Sequence, residues 1–270
     1  MENNLSDKNE NKDRKGRGVS HSKIILMGEH SVVYGYPAIA IPLKNIRMEC
    51  IVERATVPFV HNKKDTLSTA IYTALNYLNR KNENIKYKVI SDIPPKRGMG
   101  SSAAVSIAAI RGVLDYFNTE VDNLTLEKLV NEAEIIAHNT PSGLDAKTCL
   151  SDSAIKFIKN KGFKNLEMNL GAYLLIADTG IHGHTRDAIM NIKNMGGRAL
   201  PMLEKLGKLT EETEKFIEEK DVINIGKNMI SAHGELKKLG VSIEKSDVLV
   251  KTAIDEGAYG AKMSGGGLGG

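Results

Sequence analysis

The sequence contains no tryptophan, and aromatic residues make up 5% of its 270 positions. Surfaces that stack nucleic-acid bases interleave aromatic side chains with basic ones, and no such pattern occurs here. The formal charge of +4 arises from 37 basic and 33 acidic residues spread along the chain. This distribution argues against a nucleic-acid partner but leaves room for a local anion site.

Cysteine and long apolar runs are also scarce. Cys50 and Cys149 lie far apart and match no metal-ligand spacing, so we expect two reduced, buried thiols. No apolar run approaches the roughly 20 residues needed to span a bilayer. The N-terminal stretch MENNLSDKNENKDRKGRG has no apolar centre of a signal peptide. These features favour a cytoplasmic protein without a membrane partner.

The apolar content of 41% is sufficient for a core of ordinary density. Residues 1–18 are charged and have little to bury, which predicts a disordered tail. Strands are predicted at KIILM, AIAIPL, RMECIVER (as a partner strand), YKVISDIP and AYLLIADTGI, with a short strand before the glycine-rich end. Helices are predicted in DTLSTAIYTALNYLNR, SSAAVSIAAIRGVLDYF, LTLEKLVNEAEIIAHNT and four later segments. Strands and helices mix without regular alternation, so the predicted class is α+β.

The segment PPKRGMGSSAAVS, residues 94–106, joins a predicted strand to a predicted helix. Gly98 and Gly100 would let a bulky group approach the backbone, because glycine has no Cβ. Ser101 and Ser102 lie where the first N–H groups of the helix are free of intrahelical partners. Together with the helix dipole, this arrangement favours an anion, such as a phosphate.

Two familiar nucleotide-binding schemes fit this segment poorly. GMGSSA satisfies the dinucleotide pattern G-x-G-x-x-G/A, but PPKR separates it from the strand, whereas the Rossmann turn is tight. The acids at the expected distance, Asp115 and Glu120, do not follow a second strand. No G-x-x-x-x-G-K-[ST] pattern occurs anywhere in the chain, which excludes a P-loop.

The segment resembles the ATP loop of the GHMP small-molecule kinases, which include galactokinase, homoserine kinase, mevalonate kinase and phosphomevalonate kinase. Three further segments are most similar to mevalonate kinases: KIILMGEHSVVYGYPAIA at 23–40, HNTPSGLDAKTC at 138–149 and LLIADTGIHGHTRDAI at 174–189. AKMSGGGLGG resembles the family's third motif, which folds against the phosphate loop. The resemblance runs in the family's order from residue 23 to the end.

The resemblance implies two lobes, an N-terminal domain of ribosomal-S5-like type at 19–165 and a ferredoxin-like α/β sandwich at 166–270, with ATP and acceptor bound between them. It implies transfer of the γ-phosphate of ATP to the primary hydroxyl of mevalonate, with Mg²⁺ required. Kinases of homoserine, phosphomevalonate or a sugar, and a catalytically impaired nucleotide-binding relative, are the alternatives. A homodimer is a further possibility.

The same resemblance assigns roles to individual residues. Asp145 would be the catalytic acid-base group at a loop tip, and Lys23 would lie beside it and ease ionisation of the acceptor hydroxyl. Glu134 with Ser101 or, preferably, Ser102 would bind the metal. The acceptor would contact Glu29, His30, Asp145, Thr185 and Arg186. The nucleotide would contact Pro95, Lys96, Arg97, Gly98, Met99, Gly100, Ser101, Ser102, Ala103, Gly265 and Gly266.

The chain departs from the family pattern in three places. SHSK stands where Ala-Pro-Gly usually precedes the lysine, so the approach of Lys23 is expected to differ. Met99 replaces a leucine, which conserves volume. The sequence stops soon after the third glycine motif, so the C-terminal domain is expected to be truncated, with a sheet edge left exposed.

Overall fold

The computed structural model describes residues 14–94, 97–138 and 142–270. The chain forms two compact units. Unit 1 comprises the residues up to Ser22, Lys44–Ile93 and Ser102–Leu150, and unit 2 comprises Lys23–Leu43, Pro94–Ser101 and Ser151–Gly270. Each unit therefore combines separate stretches of the chain. The domains 19–165 and 166–270 stay predictions.

Five strands and eight α-helices are formed by the described residues. The strands are β1 (Lys15–Met27), β2 (Ala38–Arg54), β3 (Ile85–Ser91), β4 (Ala154–Ile158) and β5 (Gly162–Leu166). The helices are α1 (Thr66–Tyr77), α2 (Ser101–Tyr116), α3 (Asn123–His138), α4 (Leu144–Cys149), α5 (Thr185–Met195), α6 (Leu200–Glu218), α7 (Val222–Lys238) and α8 (Glu244–Asp255). The strands form one sheet in the order β1-β2-β4-β5, with β3 pairing to β2.

Strand β1 begins before the predicted start of ordered structure at residue 19. A Cβ on Gly16 would lie 2.2 Å from the carbonyl oxygen of Gly112, and one on Gly18 would lie 2.0 Å from that of Ala108. The two glycines therefore let β1 lie directly against α2. Residues 15–18 belong to the fold, in contrast to the predicted tail of 1–18, and residues 1–13 of that tail lie outside the described residues.

Strand β2 joins two segments that were predicted as separate, mutually paired strands. AIAIPL and RMECIVER are consecutive parts of β2, so the prediction that they pair with each other is wrong. Residues Met48–Arg54 pair antiparallel with β3, and Ala38–Ala40 pair antiparallel with β4. In addition to its neighbour β1, strand β2 thus pairs with two strands from more distant parts of the chain.

Helix α1 begins where its sequence predicts, because the Asp65 side chain accepts a hydrogen bond from the Ser68 N–H at 2.8 Å. Helices α2, α3 and α5 to α8 also occupy their predicted segments. No helix formed by the described residues is long and apolar enough to cross a membrane.

Unit 2 has its own apolar core, in which strands β1, β2 and β4 contribute residues such as Met27, Ile39 and Ala154. Helices α5 to α7 contribute most of the other residues of the main cluster, and a few come from β5 and from segments outside the α-helices and strands. The strand predicted at 172–181 is absent, and residues 167–270, all described, contain no strand. Tyr173 and Leu175 are 103% and 88% exposed. A strand requires a hydrogen-bonded partner, and no described segment forms a ladder with this one.

Candidate active site

The loop before α2 has the backbone of an anion site. Gly98 and Gly100 have φ angles of 69° and 71°, a left-handed conformation that glycine adopts at little cost. The chain then enters α2 at Ser101, so the free N–H groups of the first helical turn follow the loop directly. Two residues predicted to contact nucleotide, Pro95 and Lys96, lie outside the described residues.

Lys23 lies along this loop and is only 1% exposed. Its backbone N–H donates to the Met99 carbonyl at 3.2 Å, and its Nζ donates to the Gly98 carbonyl at 3.4 Å. Its Cγ lies 2.8 Å from where a Cβ on Gly100 would stand. The side chain therefore needs glycine at position 100 and brings a positive charge to the loop.

The C-terminal glycine-rich segment contacts the same loop, as the family resemblance implies. A Cβ on Gly265 would lie 2.8 Å from the Gly98 Cα, and one on Gly98 would lie 3.1 Å from the Ser264 carbonyl oxygen. Gly265 also has a positive φ of 83°. Any side chain at either glycine would separate the two loops.

The two remaining residues of the loop prediction are held by other contacts. Arg97 donates through Nε to Asp178 Oδ2 at 2.8 Å, with its side chain 15% exposed. Ala103, in the first turn of α2, is 1% exposed and is a core residue of unit 1. A direct contact of Ala103 with nucleotide could therefore involve only its backbone.

Glu134 on α3 is buried, with 7% of its surface exposed, and faces two serines of α2. Ser102 Oγ donates to Glu134 Oε1 at 3.0 Å, and Ser106 Oγ donates to the same oxygen at 2.9 Å. Residues 102 and 106 are one helical turn apart, so both hydroxyls lie on the same face of α2. The result is a compact group of hard oxygen atoms.

Glu29 is fully buried in unit 2, and its Oε1 accepts a hydrogen bond from Lys262 Nζ. Lys262 Nζ also donates to the Met263 carbonyl at 2.7 Å. Burial lowers the pKa of Lys262, an effect that the Glu29 carboxylate opposes. Glu29 Oε2 is buried and has no hydrogen-bond partner among the described residues.

His30 follows Glu29 with a φ of 61°, which is unusual for a residue other than glycine. Its ring hydrogen-bonds to the backbone of Gly266, and desolvation lowers the pKa of His30 to about 4. The imidazole is therefore neutral near pH 7. Its Nε2 is buried without a partner among the described residues, which leaves Nδ1 for the bond to Gly266. That bond raises the pKa of His30, as a donated N–H does, so Nδ1 carries the proton and Nε2 is an acceptor.

Thr185 and Arg186 begin α5. A Cβ on Gly266 would lie 2.0 Å from Thr185 Oγ1, so the threonine closely approaches the glycine-rich segment. Arg186 is exposed and forms no ion pair with the acids that the structure describes. The structure thus brings Thr185 into contact with Gly266, another predicted site residue.

Asp145 is in the first turn of α4, which begins after Gly143 at a φ of 85°. The prediction of a loop tip is therefore wrong, because the chain resumes helical geometry directly after that glycine. Asp145 is half-buried and belongs to unit 1. Its pairing with Lys23 stays a prediction.

Sequence reasoning missed Ser106 and Lys262. Ser106 could have been found from its position one turn after Ser102 on the predicted helix. Lys262 directly precedes the glycine-rich motif, but nothing in the sequence signals that its charge is buried against Glu29. Only the tertiary structure shows that these two residues contact the carboxylates of Glu134 and Glu29.

Comparison with known families gives two matches. Residues 68–152 match "GHMP kinases N terminal domain", and residues 213–270 match "GHMP kinases C terminal". Together with the mixed strands and helices, these matches confirm the predicted α+β class and GHMP kinase fold.

Known mevalonate kinases are similar to the chain in sequence and in fold. The mevalonate kinase of Pyrococcus furiosus is 32% identical over 287 residues, covering 92% of this chain and 85% of the relative. The crystal structure of L. major mevalonate kinase in complex with R-mevalonate has a TM-score of 0.79 at 23% identity, covering 94% and 85% of the two chains. Methanococcus jannaschii mevalonate kinase has a TM-score of 0.78 at 24% identity, covering 96% and 89%.

Proposed function

The chain belongs to the mevalonate kinase family of the GHMP kinases, and on that premise we propose that it transfers the γ-phosphate of ATP to the primary hydroxyl of mevalonate. The product is 5-phosphomevalonate. A kinase for homoserine, phosphomevalonate or a sugar is not favoured, because the relatives named above are mevalonate kinases.

The observation that carries the proposal is the pair of buried acceptor atoms Glu29 Oε2 and His30 Nε2. A buried polar atom without a partner costs free energy unless a ligand supplies one. Both atoms accept hydrogen bonds, so they suit the hydroxyl groups of a small polyol acid such as mevalonate. Thr185 and the exposed Arg186 would contact the carboxylate of the same acceptor, which arginine can bind bidentately.

Phosphoryl transfer requires positioning and charge stabilisation more than covalent participation by the protein. The backbone of Gly98, Gly100 and the first turn of α2 would hold the triphosphate, with Gly265 and Gly266 on its other side. Lys23 would place a positive charge at the phosphates. As the acceptor oxygen forms its bond to phosphorus, the bond to the β,γ-bridging oxygen breaks, and Asp145 receives the hydroxyl proton.

Ser102 and Glu134 suit Mg²⁺, because a hydroxyl and a carboxylate are hard oxygen donors and Mg²⁺ usually completes its shell with phosphate oxygens and water. Of the two candidate serines, Ser102 is favoured because its hydroxyl contacts Glu134. Bound Mg²⁺ would neutralise charge on the phosphates. Ser106 would keep Glu134 Oε1 oriented toward Ser102.

ADP release with MgATP and, separately, mevalonate, phosphomevalonate, homoserine and galactose tests the acceptor. We expect turnover with mevalonate alone. Turnover only with homoserine or galactose would overturn the acceptor assignment, and no turnover with any of them would indicate a catalytically impaired relative.

Asp145→Ala tests the catalytic role. We expect turnover to fall by about a hundredfold to ten-thousandfold, the usual contribution of a general base, while ATP binding is retained. Asp255→Ala, at an exposed carboxylate at the end of α8, is the matched control. Near-normal turnover of Asp145→Ala would show that another group receives the proton.

A cytoplasmic location, a homodimer and a division into domains near residue 165 are further parts of the proposal. Light scattering coupled to size-exclusion chromatography tests the dimer. A mass of one chain at working concentrations would refute it.

A further inference from the structure

His233 on α7 is buried and uses both ring nitrogens. The Met263 N–H donates to His233 Nδ1 at 3.3 Å, and Nε2 lies 3.2 Å from Asp247 Oδ1 on α8. An amide N–H can only donate, so Nδ1 carries the lone pair and Nε2 carries the proton that faces Asp247. The carboxylate therefore selects the tautomer that can hold Met263.

Asp247 is itself held in place. Ser242 Oγ donates to Asp247 Oδ1 at 2.6 Å, and Lys237 Nζ lies 2.6 Å from Oδ2. These contacts lower the pKa of Asp247 and keep it ionised near neutral pH, although burial opposes them. The carboxylate is thus a fixed anchor for the His233 ring.

Both polar backbone groups of Met263 are occupied by side chains. Its N–H is bound by His233, and its carbonyl accepts from Lys262 Nζ at 2.7 Å. The next residue, Ser264, donates through Oγ to the Ile25 carbonyl at 3.0 Å and accepts from the Ile25 N–H at 3.2 Å. Hydrogen bonds at residues 263 and 264 therefore hold the chain in place directly before Gly265.

Helix α7 also contacts the residues that precede Met263, and it does so with the face that carries His233. A Cβ on Gly226 would lie 2.2 Å from the Tyr259 carbonyl oxygen and 2.8 Å from the Gly260 nitrogen. Gly226 and His233 are seven residues apart, which places them on one side of the helix. This side of α7 supports the segment from Tyr259 to Met263 at two points.

We propose that His233, oriented by Asp247, is a positioning residue that sets the glycine-rich segment for the ATP phosphates. The inference rests on the proposed function, in which Gly265 and Gly266 contact ATP. His233 acts through Met263 and does not itself touch the nucleotide.

Protonation of His233 would remove this support, because an imidazolium has no acceptor for the Met263 N–H. The charged groups that face the ring are Asp247 on α8, Lys237 on α7 and Lys262 in the loop. Burial and the two lysines lower the pKa of His233, and Asp247 opposes them. The acceptor form thus persists into mildly acidic solution.

The test compares His233→Asn with His233→Gln. Asparagine can place Oδ1 where Nδ1 stands, whereas the glutamine amide reaches toward Nε2 and leaves Met263 without an acceptor. We expect His233→Gln to raise KM for ATP by about fivefold to tenfold, the effect of one lost hydrogen bond, with little change in KM for mevalonate. His233→Asn should restore KM for ATP to within about twofold of the unaltered protein. It should also remove the part of the acid-side fall in kcat/KM for ATP that arises from His233, because an amide does not titrate.

Hydrogen exchange at the Met263 amide is the readout that does not depend on turnover. Exchange should accelerate in His233→Gln and stay slow in His233→Asn. Asp247→Asn should raise KM for ATP in the same direction as His233→Gln. Equal exchange and equal KM for ATP in all variants would overturn the positioning role, whereas failure of the unaltered protein to phosphorylate mevalonate, with these exchange differences intact, would overturn only the proposed function.

Discussion

Several charged residues of the candidate site are buried, among them Lys23, Glu29 and Glu134. The Glu29–Lys262 pair is almost completely enclosed, with the two side chains 0% and 2% exposed. Desolvation makes such a pair a poor source of stability compared with apolar residues, but removing one partner leaves an uncompensated charge. Glu29 Oε2 and His30 Nε2 have no hydrogen-bond partner in the part of the chain that the structure describes, so this ion pair is better explained by ligand binding than by stability.

Lys262→Met should therefore lower the free energy of unfolding by about 3–5 kcal/mol, because Glu29 is left buried without its cation. The double variant Glu29→Gln with Lys262→Met should lose less than the sum of the single changes. Urea unfolding measures both. Lys251→Met, which breaks an exposed ion pair with Asp255, is the control and should cost far less. Equal losses for Lys262→Met and Lys251→Met would contradict the prediction.

Ser106→Ala should raise the Mg²⁺ concentration needed for half-maximal turnover without removing a proposed metal ligand. The change deletes one of two hydroxyls on Glu134 Oε1, and loss of such an outer partner typically reduces metal affinity or activity by about tenfold or more. The measurement is turnover as a function of Mg²⁺ at fixed ATP.

Thr210→Val is the control for Ser106→Ala, because its buried hydroxyl donates only to the Leu206 carbonyl of its own helix. We expect its Mg²⁺ dependence to match that of the unaltered protein. If Ser106→Ala behaves identically, Glu134 does not depend on Ser106 for its orientation.

At the scale of elements, glycines have opposite roles within one helix. In α7, Gly226 lies against the backbone of Tyr259 and Gly260, whereas a Cβ on Gly234 would meet nothing within 4 Å. Helix propensity favours alanine at both positions. Only packing distinguishes them.

Gly226→Ala should reduce the free energy of unfolding by about 1–3 kcal/mol through overpacking. Gly234→Ala should raise it by about 0.5–1 kcal/mol through helix propensity. Thermal and urea unfolding of the two variants provide the comparison. Stabilisation by both changes would show that the segment 259–260 moves away from α7 without cost.

The helices and strands also show which parts of the secondary structure local sequence patterns can predict. Apolar spacing predicts α1 and the Asp65 cap fixes its start, because both depend on residues within a few positions. The continuity of β2 and the absence of a strand at 172–181 could not be predicted in this way. Strand assignment depends on the segment that pairs, and Met48 pairs with Ser91 whereas Ala38 pairs with Phe157.

At the scale of the whole molecule, buried neutral histidines make stability depend on pH. In the unfolded chain His30 would titrate near its ordinary value, but in the folded protein the pKa is about 4. The unfolded state therefore binds more protons between these values, and stability rises with pH across that window.

We expect the free energy of unfolding to be fully retained above about pH 6.5 and to fall by on the order of 3 kcal/mol toward about pH 4 from His30 alone. The lowered pKa of His233 adds a change of the same sign. Urea unfolding at several pH values measures the slope, and His30→Gln should flatten it. A slope in His30→Gln that equals that of the unaltered protein would mean that other groups cause the acid destabilisation.

The sequence by itself determined the α-helices of the described residues except α4, the two glycine-rich loops and the family, because local spacing and contiguous motifs carry that information. It also placed Ser102, Glu134 and Asp145 on identifiable segments. Only the tertiary structure decided that Glu29 is paired with Lys262, 233 positions away, that Ser106 joins Ser102 on Glu134, and that His233 holds Met263. Desolvation and hydrogen-bond geometry govern those contacts, and both depend on which distant elements exclude water from a side chain.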